Sequence, residues 1–217
     1  MKVLPCLSGF CALHKSGKNT AIRAALALIL SLILPLVAGL TPVHAQKRAQ
    51  PGHQEQNKSR AALRIQAAQT LFDRAVAAAN KDDEKTALAL YEQIAQQYGK
   101  NDSPAIRTLL AKALLNKGVI FGGQGKIKNA IAAYQRLDQR FAQDKSPAVR
   151  EIVASALVSK AEAFFRQGDR KMAIATYKQL GKRYGEDDNS FIRQLIAITE
   201  WRIAEILADN TALSSRQ

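Results

Sequence analysis

"KSPAVREIVASALVSKAEAFFRQG" runs from Lys145 to Gly168, and "DSPAIRTLLAKALLNKGVIFGGQG" runs from Asp102 to Gly125, 43 positions earlier. Laying 91–133 over 134–176 gives 17 identities in 43 positions. The anchors return in further copies. Tyr91, Tyr134 and Tyr177 share one phase; so do Tyr98, Phe141 and Tyr184; Arg64, Arg107, Arg150 and Arg193; Ala68, Ala111, Ala154 and Ala197; Ala87, Ala130 and Ala173. A fixed period in this range marks an array of one supersecondary unit, each copy burying its apolar face against the next.

The unit reads as two helices. Ala, Leu, Gln, Lys and Arg dominate from about Ala61 to Asp209, and these are good helix formers. Ser103-Pro104 and Ser146-Pro147 are helix starts, with Ser expected to cap free N–H groups and Pro placed where no hydrogen bond is needed. Asn189 holds the same phase and can cap likewise. Gly125 and Gly168 suit left-handed helix ends. Ala130, Tyr134 and Leu137, like Ala173, Tyr177 and Leu180, are spaced by 4 and 3 and share one helix face. Small Ala lets helices approach, and Tyr fills the space between repeats.

The run "KGVIFGGQGKIKNAIAAY" in 104–146 resembles the tetratricopeptide repeat family. Gly118 sits at the small position of its first helix, Phe121 at the aromatic position and Gly125 at the turn; Ala130 and Tyr134 are the small and aromatic positions of the second helix. The matching residues are Ala161, Phe164, Gly168, Ala173 and Tyr177 in 147–189, and Ala75, Ala78, Asp82, Ala87 and Tyr91 in 61–103. The first aromatic and the turn Gly are missing from 61–103, so Tyr91 is expected to contribute less than Tyr134 or Tyr177. The family's unit is about 34 residues. Here Leu114 or Leu157 replaces its early Trp and its closing Pro is absent, which implies longer first helices and junctions. HEAT-type repeats have periods in the 40s, but Gly-x4-Ala-x3-Tyr favours the first family. The expected fold is all-α: a right-handed α-solenoid of three helix pairs (61–103, 104–146, 147–189) and a terminal helix at 190–208, with 210–217 a disordered tail.

Ahead of the repeats, 46–60 reads "QKRAQPGHQEQNKSR", too polar for a core and expected to be a flexible linker. Residues 1–45 hold four basic residues and no acid, an apolar run from Ala24 to Leu40 and then Val43-His44-Ala45. This is the order of a signal peptide, with cleavage expected after Ala45 and a periplasmic or secreted product. The rival is an inner-membrane anchor facing the periplasm; about 17 apolar residues interrupted by Pro35 are marginal for a ~30 Å hydrocarbon core. Cys6 and Cys11 both precede the run, so the processed chain would have no disulfide, thiol nucleophile or thiolate metal site. The leader carries four of the 32 basic residues and none of the 18 acids, leaving an excess of about ten positive charges. Such an excess draws a protein to anionic surfaces. In the bacterial cell envelope these are lipid, lipopolysaccharide, cell-wall polymer or acidic protein, with nucleic acid a poor fit.

Catalytic chemistry finds little support. His53 is the sole histidine after Ala45. "FGGQG" at 121–125 lacks the strand of a phosphate loop, and the acids at 81–85, 101–103 and 185–190 fall where helix caps are needed. No catalytic residue, metal or cofactor is expected. The Arg64 series is expected to pair with acids or carbonyls of the next unit. Phe72, Leu115, Val158 and Trp201 share a first-helix phase, which in the resembled family lies near the peptide-docking surface; with Phe165 they are the candidate partner-binding residues. Phe72, Leu115 and Val158 also fit burial between first helices. Trp201 lies opposite the Ile192, Ile196, Ile203 and Leu207 face expected to be buried, and Phe191, Leu195 and Ile198 add apolar area. The expected function is a non-catalytic protein- or peptide-binding scaffold, with self-association through the last helix as one mode. The alternative is a basic adaptor for an anionic envelope polymer or lipid surface through Arg136, Arg140, Arg170, Lys171, Lys178, Lys182 and Arg183.

If the leader is removed as expected, intact-mass measurement of protein from the envelope fraction gives a chain beginning at Gln46. A full-length mass in the membrane pellet indicates the anchor instead.

Overall fold

The computed structural model describes residues 52–100 and 103–214, and all secondary structure there is helical. In order the helices are α1 (Gly52–Ala79), α2 (Glu84–Tyr98), α3 (Pro104–Gly123), α4 (Ile127–Phe141), α5 (Pro147–Arg166), α6 (Arg170–Tyr184) and α7 (Ser190–Ser214). Each helix packs on the next, and α1, α3, α5 and α7 also touch in succession. Among the described residues α2, α4 and α6 make no such contacts with one another. The result is a two-layer stack of three helix pairs with a last unpaired helix, a helical solenoid.

The leader and residues 46–51 lie outside the described residues. From Gly52 on, the expected linker is corrected: α1 starts there rather than near Ala61. Extending a formed helix costs little per residue, and the Gln, Glu, Lys and Arg of this stretch propagate it without a buried face. The last helix likewise runs past Ala208 to Ser214.

Helix ends follow the repeat. Gly125 (φ 72°) and Gly168 (φ 88°) are left-handed, and Asp82 (φ 60°) does the same work in the first repeat, where glycine is missing. Asp is among the few non-glycine residues that visit this region routinely. In each case the next residue's N–H reaches five residues back, Asp83 to Ala78, Lys126 to Phe121 and Asp169 to Phe164, closing the helix. Asp83 and Asp169 cap the following helices through the N–H groups of Thr86 and Met172.

First-helix starts are built differently from the sequence expectation. Neither the Ser103 nor the Ser146 side chain caps its helix. Instead Asp144 accepts from the Ser146 N–H at 2.8 Å, and Asp187 accepts from the Asn189 N–H at 3.0 Å. Each acid also receives an arginine of the preceding first helix: Arg107 lies 2.9 Å from Asp144, and Arg150 pairs with Asp187. Asn189 does cap, accepting from the Ile192 N–H at 3.1 Å.

Helix pairs close on a tyrosine facing a small residue. Ala75, Gly118 and Ala161 are buried, as are Tyr91, Tyr134 and Tyr177. A Cβ on Gly118 would stand 2.2 Å from Tyr134 Cε1, so only glycine fits there. The expectation for Tyr91 is corrected. Its ring packs 5.8 Å from that of Phe72, and its hydroxyl accepts from Asn116 Nδ2 at 2.9 Å. Phe72 supplies the aromatic neighbour from six residues before the family position, Ala78.

Gly118→Ala is therefore expected to cost about 1–3 kcal/mol, the range for overpacking a filled core. Because the clash is with one ring, Tyr134→Leu added to Gly118→Ala should cost less than the two single changes summed. Chemical denaturation of the four species measures this.

Candidate functional site

The shared phase of Phe72, Leu115, Val158 and Trp201 runs through the first-helix layer, and exposure changes sharply along it. Phe72 is buried against Tyr91, and Leu115 and Val158 are half-buried on the core. Trp201 is 63% exposed. The docking assignment for Phe72 is corrected, since an aromatic neighbour from α2 holds its ring inside. Leu115 and Val158 each have a further first helix beside them, while α7 has none among the described residues. Phe165 is half-buried beneath two guanidinium groups, with Arg202 4.7 Å and Arg170 5.9 Å from its ring centroid. Both cations take up aromatic surface that a partner would need.

The face of α7 that packs inward is also corrected. Ile192, Leu195, Thr199 and Ile206 are buried, Ile196 and Ile203 are half-buried, and Leu207 is 49% exposed. At 100° per residue the buried face is centred about 60° round the helix from the Ile192-Ile196-Ile203-Leu207 arc. The rotation brings Leu195 inside and leaves Ile198, 56% exposed, beside Trp201. Ala197 and Ala204 are exposed, although their phase-mates Ala111, Ala154, Gly118 and Ala161 are buried in earlier repeats.

Polar contacts fix the flank of this surface. Arg202 donates to Glu162 at 3.0 and 3.2 Å and pairs with Glu205. The Tyr177 hydroxyl donates to the same Glu162. The Glu162 hydrogen bonds hold the Arg202 guanidinium above its ordinary pKa, despite some burial. Burial first, and Glu162 second, raise the Tyr177 hydroxyl. Both groups therefore keep fixed protonation at neutral pH, and they lock α5, α6 and α7 together.

The expected basic residues divide. Arg140 donates to the Gly99 carbonyl and lies over Phe141 at 5.3 Å. Arg170 lies 3.9 Å from Asp209, and Arg183 pairs with Asp138. These three serve packing. Arg136, Lys171, Lys178 and Lys182 are exposed, and Lys128, which the sequence reading did not single out, is exposed with them. It could have been found as the phase-mate of Lys85 and Lys171. Ile198 had only its angle as a signal, and the Glu162–Arg202 lock was hidden because Arg202 has no basic phase-mate, although Glu162 recurs as Glu205.

Trp201 is the sole tryptophan. At low concentration its emission is expected to be red-shifted and readily quenched. Trp201→Ala should leave stability within about 0.5 kcal/mol, as for surface changes away from packing features. Quenching and melting of the two proteins check this; a blue, shielded emission would place Trp201 in a core.

Residues 112–144 and 155–187 match the tetratricopeptide repeat family model. Neither a curated protein nor a solved structure gives a match. Both matched stretches begin inside a first helix and end just past the following second helix, at Asp144 and Asp187. The residues between them, 145–154, form the junction and the start of α5, which is where the lengthened first helix adds to the usual unit. Repeats of this kind are protein-binding scaffolds, in general without catalysis. Over these two stretches the chain is similar to the tetratricopeptide repeat family.

Proposed function

We propose that this chain is an exported, non-catalytic adaptor of the cell envelope that binds a protein partner through the open face of α7, with Trp201 as anchor. The observation that carries the reading is the exposure of Trp201 at a phase whose earlier members are covered. Ile198 and Leu207 are also exposed on α7, and Ala197 and Ala204 leave room for a close approach. Large aromatic anchors surrounded by near-neutral contacts are the usual centre of a protein interface. Export rests on the basic, apolar and small-residue order of the leader. Among the described residues no helix is long and apolar enough to cross a membrane.

A photo-crosslinking residue at Trp201 or Ile198 is expected to capture a discrete envelope protein in living cells, and one at Lys81 to capture none. Trp201→Ala should weaken that complex by at least tenfold, within the range of interface hot spots. A crosslink to a second copy of the chain identifies self-association as the mode. Equal capture from Lys81 and Trp201 would remove α7 as the docking face.

A further inference from the structure

The outer layer carries a second surface of different chemistry. Helix α6, "RKMAIATYKQLGKRY", contains no acid. Lys171, Ala175, Lys178 and Lys182 are all exposed, and their spacing of 4, 3 and 4 places them on one stripe. The equivalent stripe of α4 is Lys128, Ala132, Gln135 and Gln139, and that of α2 is Lys85, Ala89, Glu92 and Gln96. Charge therefore grows along the array, from neutral on α2 to three lysines on α6.

The stripe itself carries no acid, and exposed Glu186 and Asp188 lie past the C-terminal end of α6. The acid of α4, Asp138, is turned inward, where it meets Lys160 at 3.6 Å, Gln179 at 3.1 Å and Arg183. Asp169, at the start of α6, is held by the Met172 N–H. Lys128, Lys171, Lys178 and Lys182 form no ion pair among the described residues. Arg136 borders the stripe and lies near enough to Glu92 to help lower its carboxyl, although Lys117 is the main cause.

From this acid-free lysine stripe on α6, continued by Lys128 on α4, we infer that the outer layer docks on an anionic lipid bilayer. The chemistry favours a diffuse charged plane over a discrete ligand. Lysine is a flexible point charge, whereas paired recognition of carboxylate or phosphate draws on the arginine fork, and the arginines of α6 are engaged within the protein. Lysine stems can lie along the helix while the ammonium groups reach the head groups. Exposed Met172, beside Lys171, can settle at the head-group boundary.

The test uses the full chain with vesicles of equal parts phosphatidylglycerol and phosphatidylcholine, and with phosphatidylcholine alone. The difference between the two removes any charge-independent binding by the leader. Each lysine near an anionic leaflet contributes about fivefold in affinity, so Lys171→Gln, Lys178→Gln and Lys182→Gln together should lose about a hundredfold. A control with Lys81→Gln, Lys100→Gln and Lys145→Gln removes the same net charge from exposed turns and should keep most of the binding. Unchanged circular dichroism and Tm confirm that both variants fold. Wild-type binding should fall steeply between about 50 and 200 mM salt. Equal losses in the two variants would overturn the proposal in favour of net charge alone. Tighter, stripe-dependent binding to soluble heparin or polyphosphate than to the vesicles would overturn it in favour of a polymer ligand. Neither result bears on Trp201 capture.

Discussion

The stack depends on one steric fit: a tyrosine of each second helix closing against a small residue of the paired first helix. At Gly118 the fit is absolute, because any Cβ would meet the Tyr134 ring. With buried Ala75 and Ala161 at the other two positions, a small residue faces the tyrosine in all three pairs. The tyrosines also tie the pairs outward. Tyr91 reaches Asn116 on the next first helix, and Tyr177 meets Glu162, which in turn holds Arg202 of α7. One residue type thus fixes both the thickness of a repeat and its link to a neighbour.

The arginine–aspartate clasp explains how a 43-residue period holds together when each matched stretch is 33 residues long. Arg107 and Arg150 lie outside the matched stretches, in the added first-helix turns, while Asp144 and Asp187 are the residues at which those stretches end. The carboxylates are almost fully buried, with side-chain exposures of 8% and 2%. A backbone N–H of the junction and an arginine from the previous first helix satisfy each. Removing the arginine would strand a buried charge, the situation in which breaking an ion pair is most damaging. The clasp is therefore a registry device. It pins the starts of α5 and α7 to the preceding first helices, α3 and α5.

Much of this was legible in the sequence, because packing residues recur and recurrence is visible without coordinates. The Tyr, Ala and Gly phases marked the helix pairs, and the arginine series pointed to partners in the next unit. Part of what escaped had no copy to compare. Phe72 reaches Tyr91 from a position the family does not use, so the first repeat looked weaker than it is. Serine before proline is a strong capping signal, but the acids two residues before Ser146 and Asn189 took over the N–H groups. The inward face of α7 was misplaced because four isoleucine and leucine residues suggested one arc, whereas contact with α5 and α6 selects another. In a terminal helix the hydrophobic pattern answers to two demands, packing inward and whatever meets the open side, so periodicity alone cannot separate them.

That ambiguity bears on where recognition can reside in such an array. A position that keeps its residue through every copy answers to a neighbour inside the stack, and changing it disturbs packing. A position that departs from its phase at one repeat is released from that duty. Trp201 stands where earlier copies have Phe72, Leu115 and Val158; Lys178 and Lys182 stand where α4 has Gln135 and Gln139. All three departures fall in the last third of the chain, and all three side chains are exposed. The apolar departure sits on the first-helix layer and the cationic ones on the second-helix layer. They therefore belong to separate surfaces. A two-layer solenoid can accommodate both, because a change on one layer leaves the tyrosine seam between the layers untouched.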